Sequence, residues 1–190
     1  MKKVSLQPEV ACRTRGGTKS LVYLCLAVAL AAFVGWRYIL SPWLGFPTVS
    51  DQTLVDDLGR TPQWKTAVGA LISRGPRVVD RLVSAVRGQY RHKPSAQTNC
   101  LYCLARIGDK RGLPVFVEIL QSSPDEDVRQ AAAVHIYRFQ DPSVVKELER
   151  TLNLDKGAWV REASASSLYR LTGVRHNYKD ASGNEVPFVP

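Results

Sequence analysis

The chain has few residues of the kinds that carry reactive chemistry. Its 190 residues hold four cysteines and three histidines. Four cysteines are too few for the disulfide framework of a small secreted domain. Only Cys100 and Cys103 form a C-x-x-C; Cys12 lies in a basic tail and Cys25 in an apolar run. The pair has no second C-x-x-C to complete a zinc site and no following histidine for haem attachment. A redox C-x-x-C uses a helix N-terminus to lower a thiol pKa, whereas this one falls mid-helix. Two buried small side chains are therefore expected. None of His92, His135 and His176 stands at metal-ligand spacing from another histidine, cysteine or acid. His135 is expected to pack or to face solvent. A phosphate loop and a G-x-S-x-G turn are missing as well. No catalytic, cofactor-binding or metal-ligating residue is predicted, and the expectation is a protein that is not an enzyme.

Acidic residues are scarce in one half of the chain. Residues 60–111 hold eleven Lys/Arg against Asp80 and Asp109. Residues 112–190 hold nine Lys/Arg against eleven acids, and the whole chain carries a formal charge of +9. The basic half either seeks an anionic partner (lipid headgroups, nucleic acid or an acidic protein face) or is a solvated surface. Aromatics do not interleave with the basic run apart from Trp64 and Tyr90, which speaks against nucleic acid.

One long hydrophobic run is present. Residues 21–40 read LVYLCLAVALAAFVGWRYIL, with Arg37 as the single charge. As a helix, twenty residues span about 30 Å, the thickness of a hydrocarbon core. Arg37 can snorkel, and Trp36, Tyr38 and Trp43 form an interfacial belt. Pro42 and Pro47 then end the helix. A cleavable signal peptide fits less well. Its small-residue site would fall inside the apolar run, and no polar region precedes a cleavage point. Five Lys/Arg precede the run (Lys2, Lys3, Arg13, Arg15, Lys19) and only Arg37 closely follows it. The positive-inside rule then puts the N-terminus in the cytoplasm and the rest on the far side, the periplasm in a bacterium.

The remainder repeats. Arg74, Arg106, Arg138 and Arg170 recur every 32 residues, each two places after Ile72, Leu104, Ile136 or Leu168. A period of that size marks stacked helical repeats. A helices are predicted near 63–74, 96–107, 128–139 and 160–171. B helices are predicted near 76–87, 112–121 and 142–153. Small residues at Val68, Cys100, Ala132 and Ser164 would let neighbouring A helices approach closely. Asp109 and Asp141 mark A–B turns, and Gly75-Pro76 makes a shorter one. Asp125, Glu126 and Asp127 suit a helix N-terminus. Ser50–Gly59 is expected to add a short capping helix. The tail after Gly173 lacks helical periodicity, and is expected to cover the end of the stack or hang loose. The arginine column has two open readings: helix-end packing against free carbonyls, or a ladder that grips acidic groups on a partner.

The stretches D-V-R-Q-A-A-A-V-H-I (127–136) and W-V-R-E-A-S-A-S-S-L (159–168) resemble HEAT-like repeats of the phycobilisome-lyase type. The resemblance spans residues 60–172. It implies an all-α fold, a short α-solenoid of about four HEAT-like helix pairs. That family includes chromophore lyases, adaptors and membrane-tethered proteins. Its lyases are cytosolic and unanchored, so the apolar run argues against that activity. HEAT-repeat hydroxylases hold iron with His-Glu pairs, and no His-Glu dipeptide occurs here.

The chain is thus divided into a basic tail (1–20), a transmembrane helix (21–40), a linker with a capping helix (41–59), the repeats (60–172) and a C-terminal tail (173–190). The expected function is a non-enzymatic, single-pass scaffold or adaptor that binds a protein partner, with a subunit role in a membrane complex as one form of it. The alternatives are an enzyme accessory protein of lyase type, or a binder of anionic lipid or nucleic acid through the basic half. Trp64, Arg77, Arg81, Arg87, Tyr90, Arg91 and Lys93 are the candidate partner-facing residues.

Overall fold

A serine sets the first helix. In the computed structural model, which describes residues 49–190, the Ser50 hydroxyl accepts the Thr53 amide at 3.0 Å and caps α1 (Asp51–Asp57). This is the expected capping helix. The chain continues through α2 (Trp64–Arg74), α3 (Val79–Arg87), α4 (Pro94–Ile107), α5 (Leu113–Ser122), α6 (Glu126–His135), α7 (Val145–Leu154) and α8 (Ala158–Thr172). A hairpin of β1 (Asn177–Lys179) and β2 (Glu185–Pro187) closes it. The predicted tail at 1–20 and transmembrane helix at 21–40 lie outside the described residues. Among the described residues, no helix is long and apolar enough to cross a membrane.

Helices α2, α4, α6 and α8 are the predicted A helices, and α3, α5 and α7 the B helices. Each B helix is entered through a 3-10 turn, at Gly75–Val78, Lys110–Gly112 and Pro142–Val144. Asp109 and Asp141, one period apart, each accept a backbone amide at 3.0 Å, from Arg111 and Ser143. These bonds satisfy donors that the turn leaves free. Gly75 makes the shorter first turn with φ +63°, a conformation glycine reaches without steric cost. Asp125 caps α6 by accepting the Val128 amide at 3.1 Å, and Glu126 and Asp127 fill its first turn. One boundary differs from expectation. The α-helix of repeat three stops at His135, and Ile136–Phe139 continue as a 3-10 turn that ends in left-handed Gln140.

The core follows the period. Leu104, Ile136 and Leu168, 32 residues apart, and Phe116 and Leu148 on B helices are sealed from solvent; the first repeat departs from the period, sealing Leu71 in place of Ile72 and, after its shorter turn, Leu82. Burial of each such side chain contributes about 1.5–3 kcal/mol. Phe116 meets Phe139 edge to face, with centroids 5.1 Å apart. The small column at Val68, Cys100, Ala132 and Ser164 is buried at the A-helix contacts, as the close packing of helices requires.

A second column joins successive repeats through polar groups. Gln97, Arg129 and Arg161 stand one period apart near the starts of α4, α6 and α8. Each donates to carbonyls of the chain that leads into its helix, Gln97 to the last turn of α3 and the two arginines to the preceding loops. Gln97 reaches Val86 at 3.1 Å. Arg129 reaches Ser123 at 2.9 Å and Pro124 at 3.2 Å, and Arg161 reaches Asp155 at 2.6 Å. Arg129 also forms a two-pronged pair with the Asp155 carboxylate, at 2.9 and 3.0 Å. Both side chains are under a tenth exposed.

The tail forms a cover. Arg161 donates to the Lys179 and Asp180 carbonyls at 2.7 and 2.9 Å, which ties the hairpin to α8. Tyr178 and Phe188 pack onto the core, and Phe188 lies 6.0 Å from the Tyr169 ring. The Asp180 carboxylate shapes the turn by accepting the Ser182 and Asn184 amides, both at 2.9 Å.

Candidate protein-interaction surface

The seven candidate residues separate into four environments. Trp64 and Lys93 share an open groove of about 500 Å³ with Arg60, Thr61 and Asn99. The groove exists because Trp64 fills the column held by Ala96, Val128 and Val160 in later repeats. Those three are buried beneath a preceding repeat, while Trp64 is only partly covered. Arg87 and Arg91 share a second groove of about 330 Å³ with His92, Glu118 and Pro124. Both grooves lie beside the B–A loops, so one edge of the stack collects Trp64, Arg87, Arg91 and Lys93. Arg77 and Arg81 instead face α1. Arg77 pairs with Asp51 at 3.3 Å, and Arg81 donates to Gln52 at 3.4 Å.

Tyr90 does not face a partner. It is 1% exposed, and its hydroxyl lies 2.6 Å from the Val55 carbonyl and 3.1 Å from that of Asp56. The phenol satisfies the carbonyl end of α1 and anchors that helix to the first repeat. Gly59 leaves room for the ring, since a Cβ there would sit 3.0 Å from Tyr90 Cε1. Burial pushes the phenol up to about 12.

Much of the basic excess is neutralised by acids from other parts of the chain. Arg74 pairs with Asp51, Arg87 with Glu118 at 2.8 Å and Lys110 with Asp141 at 3.1 Å. Arg111 bridges Asp80 and Asp109 at 2.8 and 2.9 Å. Hydrogen bonds from the Ser143 side chain and amide, with Lys110 beside it, hold the Asp141 carboxyl down to about 2.

The arginine column is not a set of helix-end caps. Arg74 turns back to Asp51 and the Val49 carbonyl. The other three lie against tyrosines. Arg106 stands 5.7 Å over the Tyr102 ring and donates to its hydroxyl at 2.9 Å. Arg138 and Arg170 stand 5.4 and 4.8 Å from the Tyr137 ring. Arg170 reaches it from the next repeat and donates to its hydroxyl at 3.2 Å. His135 packs edge-on against Tyr102 with centroids 5.5 Å apart. Desolvation, with the Arg138 charge beside it, holds the imidazole below its ordinary value.

The cysteines are walled in. Cys100 and Cys103 are reduced and fully buried. Burial pushes the Cys100 thiol far up, aided by Cys103, and burial alone pushes the Cys103 thiol up to about 12. Neither supplies a thiolate at neutral pH. Among the described residues, no three His, Cys, Asp or Glu side chains converge as a metal site, and every buried side-chain polar atom has a partner.

Two groups escaped sequence reasoning. The Arg129–Asp155 joint was half-signalled by the Val-Arg pairs at 128–129 and 160–161, but Asp155 has no period mate. The Arg–Tyr stripe has a partial signal in the Tyr-Arg pairs at 137–138 and 169–170.

Comparison with known proteins agrees at the level of architecture. Epoxyqueuosine reductase of Bacillus subtilis (strain 168) is 34% identical over 71 residues, 37% of this chain and 18% of that protein. The chain thus spans less than a fifth of that relative's length. No solved structure matches. The family model for HEAT repeats matches residues 79–169, which run from the start of α3 into α8.

Proposed function

We propose that this protein is a non-enzymatic scaffold or adaptor that binds a protein partner through its repeat surface and is tethered to a membrane by residues 21–40. The repeats stand on the side opposite the basic N-terminal tail, and the protein serves as a subunit of a membrane complex. One observation carries the binding role: recognition-type side chains are on the outside, while both cysteines of the core and the carboxylates of the turns are buried or engaged. Trp64, Arg91 and Lys93 border open grooves on one edge of the stack. Tyrosine, tryptophan and arginine are the residues on which protein interfaces draw most. Cys100 and Cys103 are sealed, and Asp109, Asp141 and Asp155 are committed to turns or an ion pair. The tether rests on the sequence of residues 21–40 and its flanking charges. A shared segment covering 18% of a reductase carries architecture more readily than chemistry.

The test is proximity labelling in native membranes, with a labelling enzyme fused after Pro190. The full chain should label a defined set of proteins that disappears when residues 60–172 are deleted. The same set with and without the repeats would contradict the reading.

A further inference from the structure

The surface arginines of this fold mostly answer to an acid: Arg77 to Asp51, Arg87 to Glu118, Arg111 to Asp80 and Arg150 to Glu147. Arg106, Arg138 and Arg170 do not. Among the described residues, none of the three has a carboxylate within 4.0 Å. A guanidinium carries five N–H donors in a fixed fork. Arg106 and Arg170 each spend one on a tyrosine hydroxyl, and Arg138 donates to no described residue. Stacking on Tyr102 and Tyr137 therefore fixes the cations in place and leaves their hydrogen-bonding edges open. Such preorganisation lowers the entropic cost of gripping an anion. The stripe is continuous across repeats, because Arg170 reaches back to Tyr137 and His135 reaches back to Tyr102.

The spacing and surroundings select the kind of anion. Arg138 and Arg170 lie 5.4 and 4.8 Å from one Tyr137 ring, so their guanidinium groups are at most about 10 Å apart, and the helices that carry successive rungs pack about 8–10 Å apart. A polyproline II segment rises about 3.1 Å per residue with three residues per turn, so its every third side chain recurs at about 9 Å on one face. Carboxylates match the guanidinium fork in two-pronged fashion. Val134, 38% exposed, stands one period after Tyr102 and four residues before Arg138, and so offers an apolar contact beside that rung. The two tyrosine rings are already covered by guanidinium groups, so they offer nucleobases no free platform for stacking. We infer that Arg106, Arg138 and Arg170 form a three-rung ladder that binds an acidic segment of a protein partner, an extended stretch with a carboxylate at every third residue. This inference rests on the scaffold reading and names the chemistry of its partner.

The test is fluorescence anisotropy with the full-length chain in non-ionic detergent. The probe is a labelled peptide of repeated Glu-Pro-Pro triplets. The parallel arms are the matching Gln-Pro-Pro peptide, an oligothymidylate of equal charge and phosphatidylglycerol vesicles. The intact chain should bind the Glu peptide and not the Gln peptide. The combined Arg106→Gln, Arg138→Gln, Arg170→Gln variant should bind it at least about tenfold more weakly. Lys146→Gln, Lys156→Gln, Arg175→Gln removes the same charge elsewhere and should stay within about twofold of the intact chain. Replacing the three ladder arginines by lysine should give an intermediate affinity, since lysine keeps the charge and loses the fork. If the triple variant melts early, Arg138→Gln alone suffices and should weaken binding about threefold. No binding of the Glu peptide, or equal losses in the two charge-removal variants, would overturn the ladder. Tighter ladder-dependent binding of oligothymidylate or vesicles would overturn its protein partner. Proximity labelling separates this inference from its parent. If the ladder variant keeps every neighbour that deletion of residues 60–172 removes, the ladder fails and the scaffold stands. If the deletion removes none, the scaffold itself fails.

Discussion

Replacing Asp155 by alanine is expected to lower the unfolding free energy by about 3–5 kcal/mol. The cost arises on the other side of the pair. Arg129 is buried in the joint between repeats, and its Nε and Nη2 both point at the Asp155 carboxylate. Without that carboxylate, a buried cation keeps only the Ser123 and Pro124 carbonyls through Nη1. Asp155 also accepts the Gly157 amide at 2.7 Å, so the substitution frees a donor at the entry to α8. Denaturant unfolding followed by tryptophan fluorescence measures the effect. A joint Arg129→Met, Asp155→Leu replacement should recover much of it, because the cost belongs to the unpaired charge and not to the loss of the pair. The pair also sets a pH dependence. Burial alone would raise the Asp155 carboxyl, but the hydrogen bonds from Arg129 and Gly157 and the charges of Arg129 and Arg161 outweigh it and hold the group below its ordinary value. A depressed carboxyl contributes its full stability above its unfolded-state pKa of about 4. That contribution is lost as pH falls through the folded-state value. The Asp155→Ala variant should therefore differ most from the intact chain at neutral pH and converge with it in acid.

Phe116→Ala is expected to cost a similar amount, about 3–5 kcal/mol, by a different route. The ring is fully buried on α5 and meets Phe139 edge-on, where the third A helix tightens into its 3-10 turn. Truncation removes its transfer energy and leaves a cavity between two repeats that helices on both sides cannot easily close. Phe116→Leu should recover most of the loss, as a substitution that nearly conserves volume. In a stack where each repeat touches only its neighbours, such a gap also lowers cooperativity. The denaturation slope of Phe116→Ala should then fall along with the midpoint.

Helix positions were legible in the sequence because the 32-residue period ties every A helix to the same buried columns. Leu104, Ile136 and Leu168 carry that signal, and the A–B turns announce themselves through Asp109, Asp141 and Gly75-Pro76. Features fixed by contacts outside the period were not legible. Tyr90 lies in a B–A loop beside Arg91 and Lys93, where sequence alone gives it a wet surface. Its burial depends on carbonyls of α1, 35 and 34 residues away. The hairpin rests on two three-residue strands, too short for an alternating pattern to show. It is held by backbone acceptors of Arg161 that leave no trace in residue type. The role of the arginine column was open in the sequence because a cation near a helix end is favourable whether or not it touches carbonyls. Placing Tyr137 within reach of two arginines from different repeats shows only that Arg138 and Arg170 lie against a ring and not against helix-end carbonyls.

The central claim is that the outer face of the repeats binds another protein. Site-specific photo-crosslinking in native membranes tests it most directly. A photo-reactive residue at Lys93, exposed beside the Trp64 groove, should give a discrete protein adduct. One at Glu149, exposed on the B helix of the third repeat, should give none. Adducts to lipid alone from Lys93, or the same adduct from both positions, would contradict the account.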